Sequence, residues 1–354
     1  MLIYIVLVGL ILLSGLLLYK NKINKRQFCF IVGLAFILVT GLRSENVGSD
    51  TVVYYLDYKA MLNLSWERLM ELEKRDVVFY IMTWFLSRIT KGSFVVLTLL
   101  VAVTFYYPVM KLIYRYSDAP ALSCLILMAF NFFQFSMTGM RQTMALGFVV
   151  LFFLALHEER VSWKKSALFI ILAVLFHRSA LVALLYPVIR YLSKKGDIVK
   201  LSIVLIPVSF IFRSAIVNSM SGIFEELGFD YLASDSAGAG LTTFLVYVLL
   251  TVGTLLMRTG KSDGELSATE IFLFAVMGTS MQALVMVNSV FFRVAWYFAI
   301  FFTILIPRFL KRGIFARAEM KTLRVLAYGA ILFMYFAITK GSAYVIPYEF
   351  FFRG

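Results

Sequence analysis

The sequence predicts an all-α protein that crosses a membrane several times. Hydrophobic residues make up 61% of the 354-residue chain, and the mean hydropathy is +0.88. Apolar segments follow one another along the chain with short polar connectors between them. Because hydrocarbon cannot hydrogen-bond to the backbone, such segments must be helices that satisfy their own peptide groups. No stretch is polar enough to be a soluble domain, so we expect residues 1–354 to form one integral membrane domain.

The apolar segments differ in length. Crossing a hydrocarbon core takes about 20 apolar residues, and the segments at 77–90, 166–176 and 179–192 are shorter. We expect these three to be half-helices, tilted pieces or re-entrant elements, which are tolerated only beside protein or a water-filled cavity. The first segment lacks preceding basic residues and a following cleavage site, so we expect it to be a retained helix. The segments lie near 2–18, 28–42, 77–90, 93–113, 120–137, 142–157, 166–176, 179–192, 199–213, 241–257, 270–290, 294–307 and 325–339.

Two hydrophilic loops, at about 43–76 and 214–240, separate apolar segments and are expected on the outer face. In the second loop, Ile216, Met220 and Ile223 recur at helical spacing, which predicts a helix lying in the membrane interface with its apolar side down. The Ala-Gly-Ala-Gly run at 237–240 is typical of a flexible hinge.

The basic residues of the connectors indicate orientation. With the N-terminus outside and 77–90 entering and leaving on the outer side, 21 of the 34 Lys and Arg residues lie inside. With the N-terminus inside and 77–90 as a full span, 22 lie inside, so counting does not separate the two arrangements. We prefer the first, because the short basic loop at 20–26 joins two hydrophobic helices, and such loops determine topology most strongly.

Composition argues against several classes of protein. The two cysteines, Cys29 and Cys124, lie inside apolar segments, so neither a disulfide framework nor a cysteine metal site is supported. No metal cluster is evident, and we expect no metal and no cofactor. The formal charge of +14 is dispersed between apolar segments and does not form one stripe. Membrane topology explains this charge better than a nucleic-acid partner does.

Five arginines and a histidine are the most informative residues, because they lie within or beside apolar sequence. An arginine near the centre of a bilayer costs roughly 2.5–3.5 kcal/mol. Several together imply a watery cavity or an anionic partner, and hence a membrane enzyme or transporter that handles a negatively charged substrate. These residues are Arg43, Arg141, His177, Arg178, Arg213 and Arg293.

Arg141 follows Gly139, which allows a tight bend, and is expected to start a helix. A guanidinium beside the free N–H groups of a helix N-terminus makes an anion pocket, since both favour phosphate oxygens. Gln142 is expected to contribute to the same pocket. The alternative is an arginine that snorkels to lipid headgroups.

His177 and Arg178 lie between two short apolar segments, at the apex of a predicted hairpin. A histidine there can accept a proton or bind phosphate. The alternative is a hydrogen-bonded interior histidine that orients a helix. The other histidine, His157, lies beside charged residues, and we expect it on the solvated surface.

A third group combines Arg43, Asp50 and Tyr54 with Arg293 and Tyr297. A carboxylate near an arginine in a cleft can bind sugar hydroxyls or remove an acceptor's proton, and the aromatic rings can stack on sugars. For Asp50, helix capping is an equally weighted alternative.

The ordered series of these motifs resembles the EpsG family of exopolysaccharide and O-antigen polymerases, the Wzy-type enzymes. The chain departs from the family pattern at Ser49 and Arg178. The motifs are Gly41-Leu42-Arg43, Val47-Gly48-Ser49-Asp50-Thr51 with Tyr54, Gly139-Met140-Arg141-Gln142 with Ala145, Phe176-His177-Arg178-Ser179-Ala180-Leu181, and Arg293 with Tyr297-Phe298.

The resemblance implies a glycosyltransferase with a GT-C-like helical bundle in the bacterial cytoplasmic (inner) membrane, its active site facing the periplasm or exterior. Its donor and acceptor would be undecaprenyl-diphosphate-linked oligosaccharide repeat units, which it joins into a long chain, with inversion expected at the anomeric carbon. Membrane lipids and a chain-length regulator protein are further expected partners.

Our mechanistic hypothesis has Arg141 and Arg293, with Arg213, clamp the donor diphosphate. His177 would contact the phosphate or take the proton of the attacking hydroxyl. Asp50, steered by Arg43, is the other candidate base. An O-antigen ligase would share this donor chemistry, and a flippase or exporter of lipid-linked oligosaccharide would also place arginines in a cavity, so both stay open. A flippase usually shows repeat symmetry, and none is visible in this sequence.

Overall fold

The computed structural model describes residues 1–72, 76–195, 198–226, 240–256, 266–311, 321–341 and 344–353. Within these ranges the regular elements are 18 α-helices and short 3-10 helices, with no strand, which confirms the predicted all-α fold.

The helices run in the following order: α1 Leu2–Tyr19, α2 Lys25–Gly41, α3 Thr51–Ala60, α4 Trp66–Leu72, α5 Val77–Ile89, α6 Phe94–Tyr116, α7 Pro120–Ala129, α8 Phe132–Phe135, α9 Met140–Leu156, α10 Trp163–Phe176, α11 Leu185–Leu192, α12 Ile198–Ile211, α13 Arg213–Glu226, α14 Leu241–Leu256, α15 Ala268–Val285, α16 Phe291–Ala299, α17 Phe302–Lys311 and α18 Lys321–Gly341. A 3-10 helix, Arg178–Leu184, links α10 to α11.

Among the described helices, α1, α6 and α15 are each long and apolar enough to cross a membrane unaided. Two bent pairs bring the number to five if each pair is one span: α12 with α13, bent by 81°, and α16 with α17, bent by 42°. Several shorter apolar helices, α9 among them, lie between these. The protein is therefore a multi-pass membrane protein.

Close helix packing depends on small residues. A Cβ added at Gly147 of α9 would lie 2.1 Å from the Thr104 carbonyl oxygen of α6, so these two backbones meet only because glycine has no side chain. Gly33 of α2 faces Met110 of α6 in a similar way. Helices α2, α6 and α9 consequently form a tight group, and α9 holds α10 on its other flank.

The hydrophilic stretch at 43–76 contains α3 and α4, so it is partly helical and not an extended loop. It packs on the end of the bundle where α2 ends and α6 begins. There the Thr98 hydroxyl of α6 donates to the Gly41 carbonyl at 2.6 Å, and Tyr58 of α3 contacts the ring of Phe94.

Both ends of α5 lie at this same end of the bundle. At its start, Asp76 pairs with Arg141, the second residue of α9. Just past its other end, the Thr90 hydroxyl is hydrogen-bonded to Tyr58 at 2.8 Å. Both contacts are made at this end of the bundle, which favours the arrangement in which 77–90 enters and leaves on one side of the membrane.

The helix expected in the interface at 214–240 is α13, but part of its apolar side faces protein. Val217 is buried against Leu284, Val285 and Phe291, because the bend after α12 folds α13 back onto α15 and α16. Residues 227–239, which include most of the expected hinge at 237–240, lie outside the described residues.

The C-terminal segment 344–353 fastens the 42–48 stretch. The Gly48 and Ser44 N–H groups donate to the carbonyls of Tyr344 and Glu349. The Tyr4 hydroxyl of α1 donates to the Val345 carbonyl at 2.6 Å. These bonds bring the start of α1 and the end of the chain to the same end of the bundle as Arg141.

His157 lies at the opposite end of the bundle and corrects an expectation. It is 3% exposed and not a solvated surface residue. Its Nδ1 bonds the Phe153 carbonyl and its Nε2 bonds Glu270, each at 2.9 Å, while Arg115 donates to its carbonyl at 2.6 Å. His157 packs against the first turn of α15, where Glu270 lies. The charged residues next to it in the sequence therefore did not indicate that it is exposed.

Candidate functional site

Arg141 lies in the first turn of α9, as expected, and reaches an aspartate and a tyrosine. Its Nη1 is 3.0 Å from Asp76 Oδ2, and its Nε donates to the Tyr54 hydroxyl at 3.4 Å. The side chain is only 27% exposed. Because protein groups hold this guanidinium, the structure favours a role in a site over an arginine that snorkels to lipid headgroups.

The turn before α9 depends on Gly139 for space and not for backbone freedom. Its φ is −84°, which any residue adopts, but an added Cβ would lie 2.2 Å from the Phe135 ring. The ring therefore packs directly on the backbone where α9 begins.

Asp76 is the residue on which the site converges. It lies just before α5 in the left-handed conformation, with φ 49°. Besides Arg141, its carboxylate accepts a hydrogen bond from the main-chain N–H of Arg178, and the charges of Arg178 and Arg293 act on it. Burial nevertheless raises the pKa of Asp76 above its usual range. The guanidinium groups thus do not fully compensate for the loss of water around this carboxylate.

His177 ends α10 in an extended conformation and lies inside the same group. Its Nδ1 accepts a hydrogen bond from the Ser179 main-chain N–H at 3.3 Å and lies 2.8 Å from the Ser179 hydroxyl. An Nδ1 that accepts carries no proton, so the imidazole is neutral and its Nε2 carries the hydrogen. Among the described residues, Nε2 makes no hydrogen bond. Arg141 and Arg293 are the cations whose charges act on the ring.

Helix α16 brings Arg293 and Tyr297 to the site, one turn apart. The Tyr297 hydroxyl lies 3.2 Å from the Ser179 hydroxyl, and Tyr186 donates to the Tyr297 carbonyl. Gln142 of α9 donates from Nε2 to the Arg293 carbonyl at 3.0 Å. Gln142 is therefore bonded to the backbone that carries Arg293.

The structure thus brings together seven of the ten residues that the sequence singled out, although they are up to 243 positions apart. We call the group the Arg141 cluster. Its members are Tyr54, Asp76, Arg141, Gln142, His177, Arg178, Ser179, Arg293 and Tyr297.

Arg43 lies at the same end of the bundle but outside the cluster. It is 1% exposed, and its guanidinium donates to the Thr40 carbonyl and, at 3.0 Å, to the Met137 carbonyl. Thr51 donates to the same Met137 carbonyl at 2.7 Å. Arg43 and Thr51 together hold the start of α3 against the turn before α9.

Asp50 and Arg213 are also placed apart from the cluster. Asp50 is exposed at the N-terminus of α3, where its side chain makes no capping bond and accepts from the Ser49 hydroxyl. Arg43 therefore does not steer Asp50. Arg213 lies at the bend between α12 and α13, where it donates to the Phe210 carbonyl at 2.6 Å and lies over the Phe210 ring.

Asp76 was not predicted as a site residue, although the sequence held a signal. It is an acidic residue directly before an apolar segment too short to span a membrane. Ser179 was quoted only as part of the histidine motif. Neither its bond to His177 nor its contact with Tyr297 follows from its position in the sequence.

The arrangement can bind an anion. Among the described residues, the charges of Arg141, Arg178 and Arg293 act on the Asp76 carboxylate, and the charge of Asp57 also acts on Arg141. Guanidinium groups gathered in a partly buried place can bind phosphate oxygens. Within the described ranges, no group of three His, Cys, Asp or Glu side chains could hold a metal ion.

The comparisons with known proteins give a family. No curated protein and no solved structure matches the chain. The profile of the EpsG family matches residues 26–350, which is nearly the whole chain and includes every member of the Arg141 cluster. The chain therefore belongs to the EpsG family, a family of Wzy-like polymerases.

Proposed function

We propose that the protein is a glycosyltransferase that joins undecaprenyl-diphosphate-linked oligosaccharide repeat units into an O-antigen or exopolysaccharide, within a GT-C-like bundle. One observation carries the proposal: Arg141, Arg178 and Arg293 converge on a single carboxylate, Asp76, beside a neutral histidine. The family supports a polymerase-like role at the coarser level.

A lipid-linked diphosphate suits this cluster because it is a compact anion attached to an apolar tail. Arg141 and Arg293 would bind its oxygens, with Asp76 holding Arg141 in place until the diphosphate arrives. The uncompensated burial of Asp76 favours this exchange, since a ligand with more negative charge competes well for the same guanidinium groups.

In the reaction, the oxygen of an acceptor hydroxyl attacks the anomeric carbon of the donor. The bond from that carbon to the diphosphate breaks, and undecaprenyl diphosphate leaves with the bond's electrons. Arg141 and Arg293 stabilise the charge that develops on the leaving group, and the Nε2–H of His177 donates to one of its oxygens. Asp50, the exposed carboxylate whose charge acts on Tyr54, is our candidate for the group that takes the hydroxyl proton.

We further propose that the Arg141 cluster faces the periplasm or exterior of the cytoplasmic membrane. Basic connector residues support this orientation, because they lie at the other end of the bundle. Lys25 donates to the Ser117 carbonyl there, and Lys165 pairs with Glu158. An excess of lysine and arginine marks the cytoplasmic side of a membrane protein.

The test is synthesis in liposomes that contain the purified protein and a lipid-linked repeat unit. The unaltered protein should make a ladder of products, and Arg141→Ala should abolish it while the protein remains folded and inserted. Arg68→Ala is the control, because Arg68 lies in the same hydrophilic stretch as Asp76 but is 60% exposed and pairs with the exposed Glu71. Undiminished chain length in Arg141→Ala would refute the assignment.

The same liposome experiment distinguishes a polymerase from a flippase or exporter and from a ligase. Lipid-linked sugar that changes leaflet without forming new bonds would mean transport. A single transfer to a different acceptor, with no ladder, would mean a ligase.

A further inference from the structure

A cavity of about 550 Å³ lies on the other side of α16 from the Arg141 cluster. It is enclosed by residues from α14, α15, α16 and α18 and by the break between α7 and α8. Its volume is in the range of small-molecule sites. Nothing in the mechanism described above uses it.

The cavity and the cluster share one wall. Phe292 and Trp296 of α16 line the cavity, whereas Arg293 and Tyr297 belong to the cluster. Successive residues of a helix point about 100° apart, so one short helix presents an apolar side to the cavity and a polar side to the cluster. A helix with its side chains is about 10–12 Å across, and a single lipid molecule can extend over that distance.

The lining selects an apolar ligand. Aromatic and aliphatic side chains dominate it, among them Phe130, Phe135, Tyr247 and Trp296. Of the described residues that line the cavity, none carries a charge. A charged or strongly hydrated group would lose its water there without compensation, whereas a hydrocarbon chain gains free energy on entering.

We propose that this cavity binds a part of the donor lipid's isoprenoid tail that lies beyond the first isoprene unit, so that the tail passes around α16 between the head group and the cavity. The proposal rests on the proposed function only in taking a polyprenyl diphosphate as the ligand. It does not depend on polymerisation. It predicts that tail length and anionic charge are recognised at two separable places.

The first test is photo-crosslinking in nanodiscs with radiolabelled polyprenyl diphosphate. A benzoylphenylalanine replacing Val246, which lines the cavity on α14, should capture the label. An excess of unlabelled polyprenyl diphosphate should abolish capture, and an excess of phosphatidylglycerol should not. Leu249 on the same helix is the matched control position, because it is 72% exposed and outside the cavity.

The crosslinking result can overturn the proposal in two ways. Equal capture at positions 246 and 249, or competition by phosphatidylglycerol, would mean that ordinary membrane lipid reaches both sites. Competition by a lipid-free oligosaccharide would mean that the cavity takes sugar.

A second test fills the cavity and compares two diphosphates. Val246→Phe should weaken binding of the long-chain polyprenyl diphosphate about tenfold, roughly the effect of losing burial of two methylene groups. It should leave the affinity for isopentenyl diphosphate, which is too short to reach the cavity, unchanged. Arg141→Ala should weaken both.

These outcomes distinguish the two proposals. If Arg141→Ala weakens binding of both diphosphates and Val246→Phe weakens neither, the cavity assignment is wrong and the proposed function stands. If the unaltered protein binds neither diphosphate, the proposed function itself fails.

Discussion

The two ends of the bundle each bury a histidine, and the two histidines differ in what surrounds them. Both ring nitrogens of His157 are bonded within the protein, to the Phe153 carbonyl and to Glu270. His177 uses one nitrogen, Nδ1, to accept from Ser179, and the charges that act on its ring are guanidinium groups. Helix α9 sets these ends apart, since the distance from Arg141 in its first turn to His157 just past its end is roughly 24 Å at 1.5 Å per residue.

We interpret the difference as one between a buried pair that maintains the structure and a group of cations that could bind a ligand. At the His157 end, the buried acid and base match one to one, so the pair ties α9 to the start of α15. At the Arg141 end, the charges of Arg141, Arg178 and Arg293 act on the Asp76 carboxylate. Such a group of guanidinium side chains suits an anionic ligand.

The largest expected effect is a loss of stability at the end of the bundle that contains the His157–Glu270 pair. His157→Ala leaves Glu270 buried without its partner and should lower the free energy of unfolding by about 3–5 kcal/mol. Thermal unfolding in detergent measures this, and activity per folded molecule should be retained. Glu158→Ala, which removes an exposed pair with Lys165, is the control and should cost less than about 1 kcal/mol. Lost activity with unchanged stability would show that this end also takes part in function.

The next largest effect is expected on the rate of elongation, when the Asp76 carboxylate is removed from the Arg141 cluster. Asp76→Asn keeps the shape of the side chain but no longer holds Arg141 by charge, so the rate of elongation should fall about 10²–10³-fold. Affinity for the lipid diphosphate should be equal or higher, because the internal anion no longer competes for the guanidinium groups.

Initial rates and diphosphate binding, measured side by side, test the Asp76 prediction. Glu71→Gln, which alters an exposed acid in the same stretch, provides the comparison. An Asp76→Asn protein with a normal rate would show that the carboxylate is only structural.

A smaller effect on activity is expected from replacing His177, and it tests whether this histidine differs in role from His157. If His177 acts as a neutral N–H donor, the amide of His177→Gln can replace it, and activity should stay within about tenfold of the unaltered protein. His177→Ala should lose more. The ratio of the Gln variant to the unaltered protein should be constant between about pH 6 and 8, where histidines ordinarily titrate. Activity absent in both variants would indicate a proton acceptor instead.

The smallest expected effect concerns how Arg293 is held. Gln142→Leu removes the donor to the Arg293 carbonyl, which is worth about 1 kcal/mol, and should raise KM for the lipid-linked unit a few-fold without changing kcat. Thr143→Val is the control, because Thr143 is the next residue of α9 and its buried hydroxyl has no partner among the described residues. A change in kcat alone would mean that Gln142 contacts the reacting atoms.

The long apolar segments could be located from the sequence, since α1, α6 and α15 are continuous runs that only a helix can place in hydrocarbon. The short helices α3 and α4 could not, because their mixed polar and aromatic residues give no clear period. Packing stabilises both: α3 contacts α5 and α6, and α4 contacts α5.

For the site, two arginines show most clearly what the sequence could not predict. Arg43 and Arg141 both follow a glycine closely and lie at the edge of apolar sequence, so the sequence treats them alike. Arg43 bonds main-chain carbonyls, whereas Arg141 reaches a carboxylate. Whether a guanidinium faces backbone or a site depends on the acceptor that packing brings to it, and that acceptor is distant in the sequence.

The sequence by itself determined that this chain is a membrane protein and that it is helical, and it indicated that arginines and a histidine at the edges of its apolar segments could bind an anion. These properties follow from composition and from the cost of placing charge or bare backbone in hydrocarbon. Only the tertiary structure decided which cations share a site, that Asp76 lies among them, and that both ends of α5 make contacts at the same end of the bundle. Those outcomes depend on contacts between residues far apart in the chain, which no local pattern encodes.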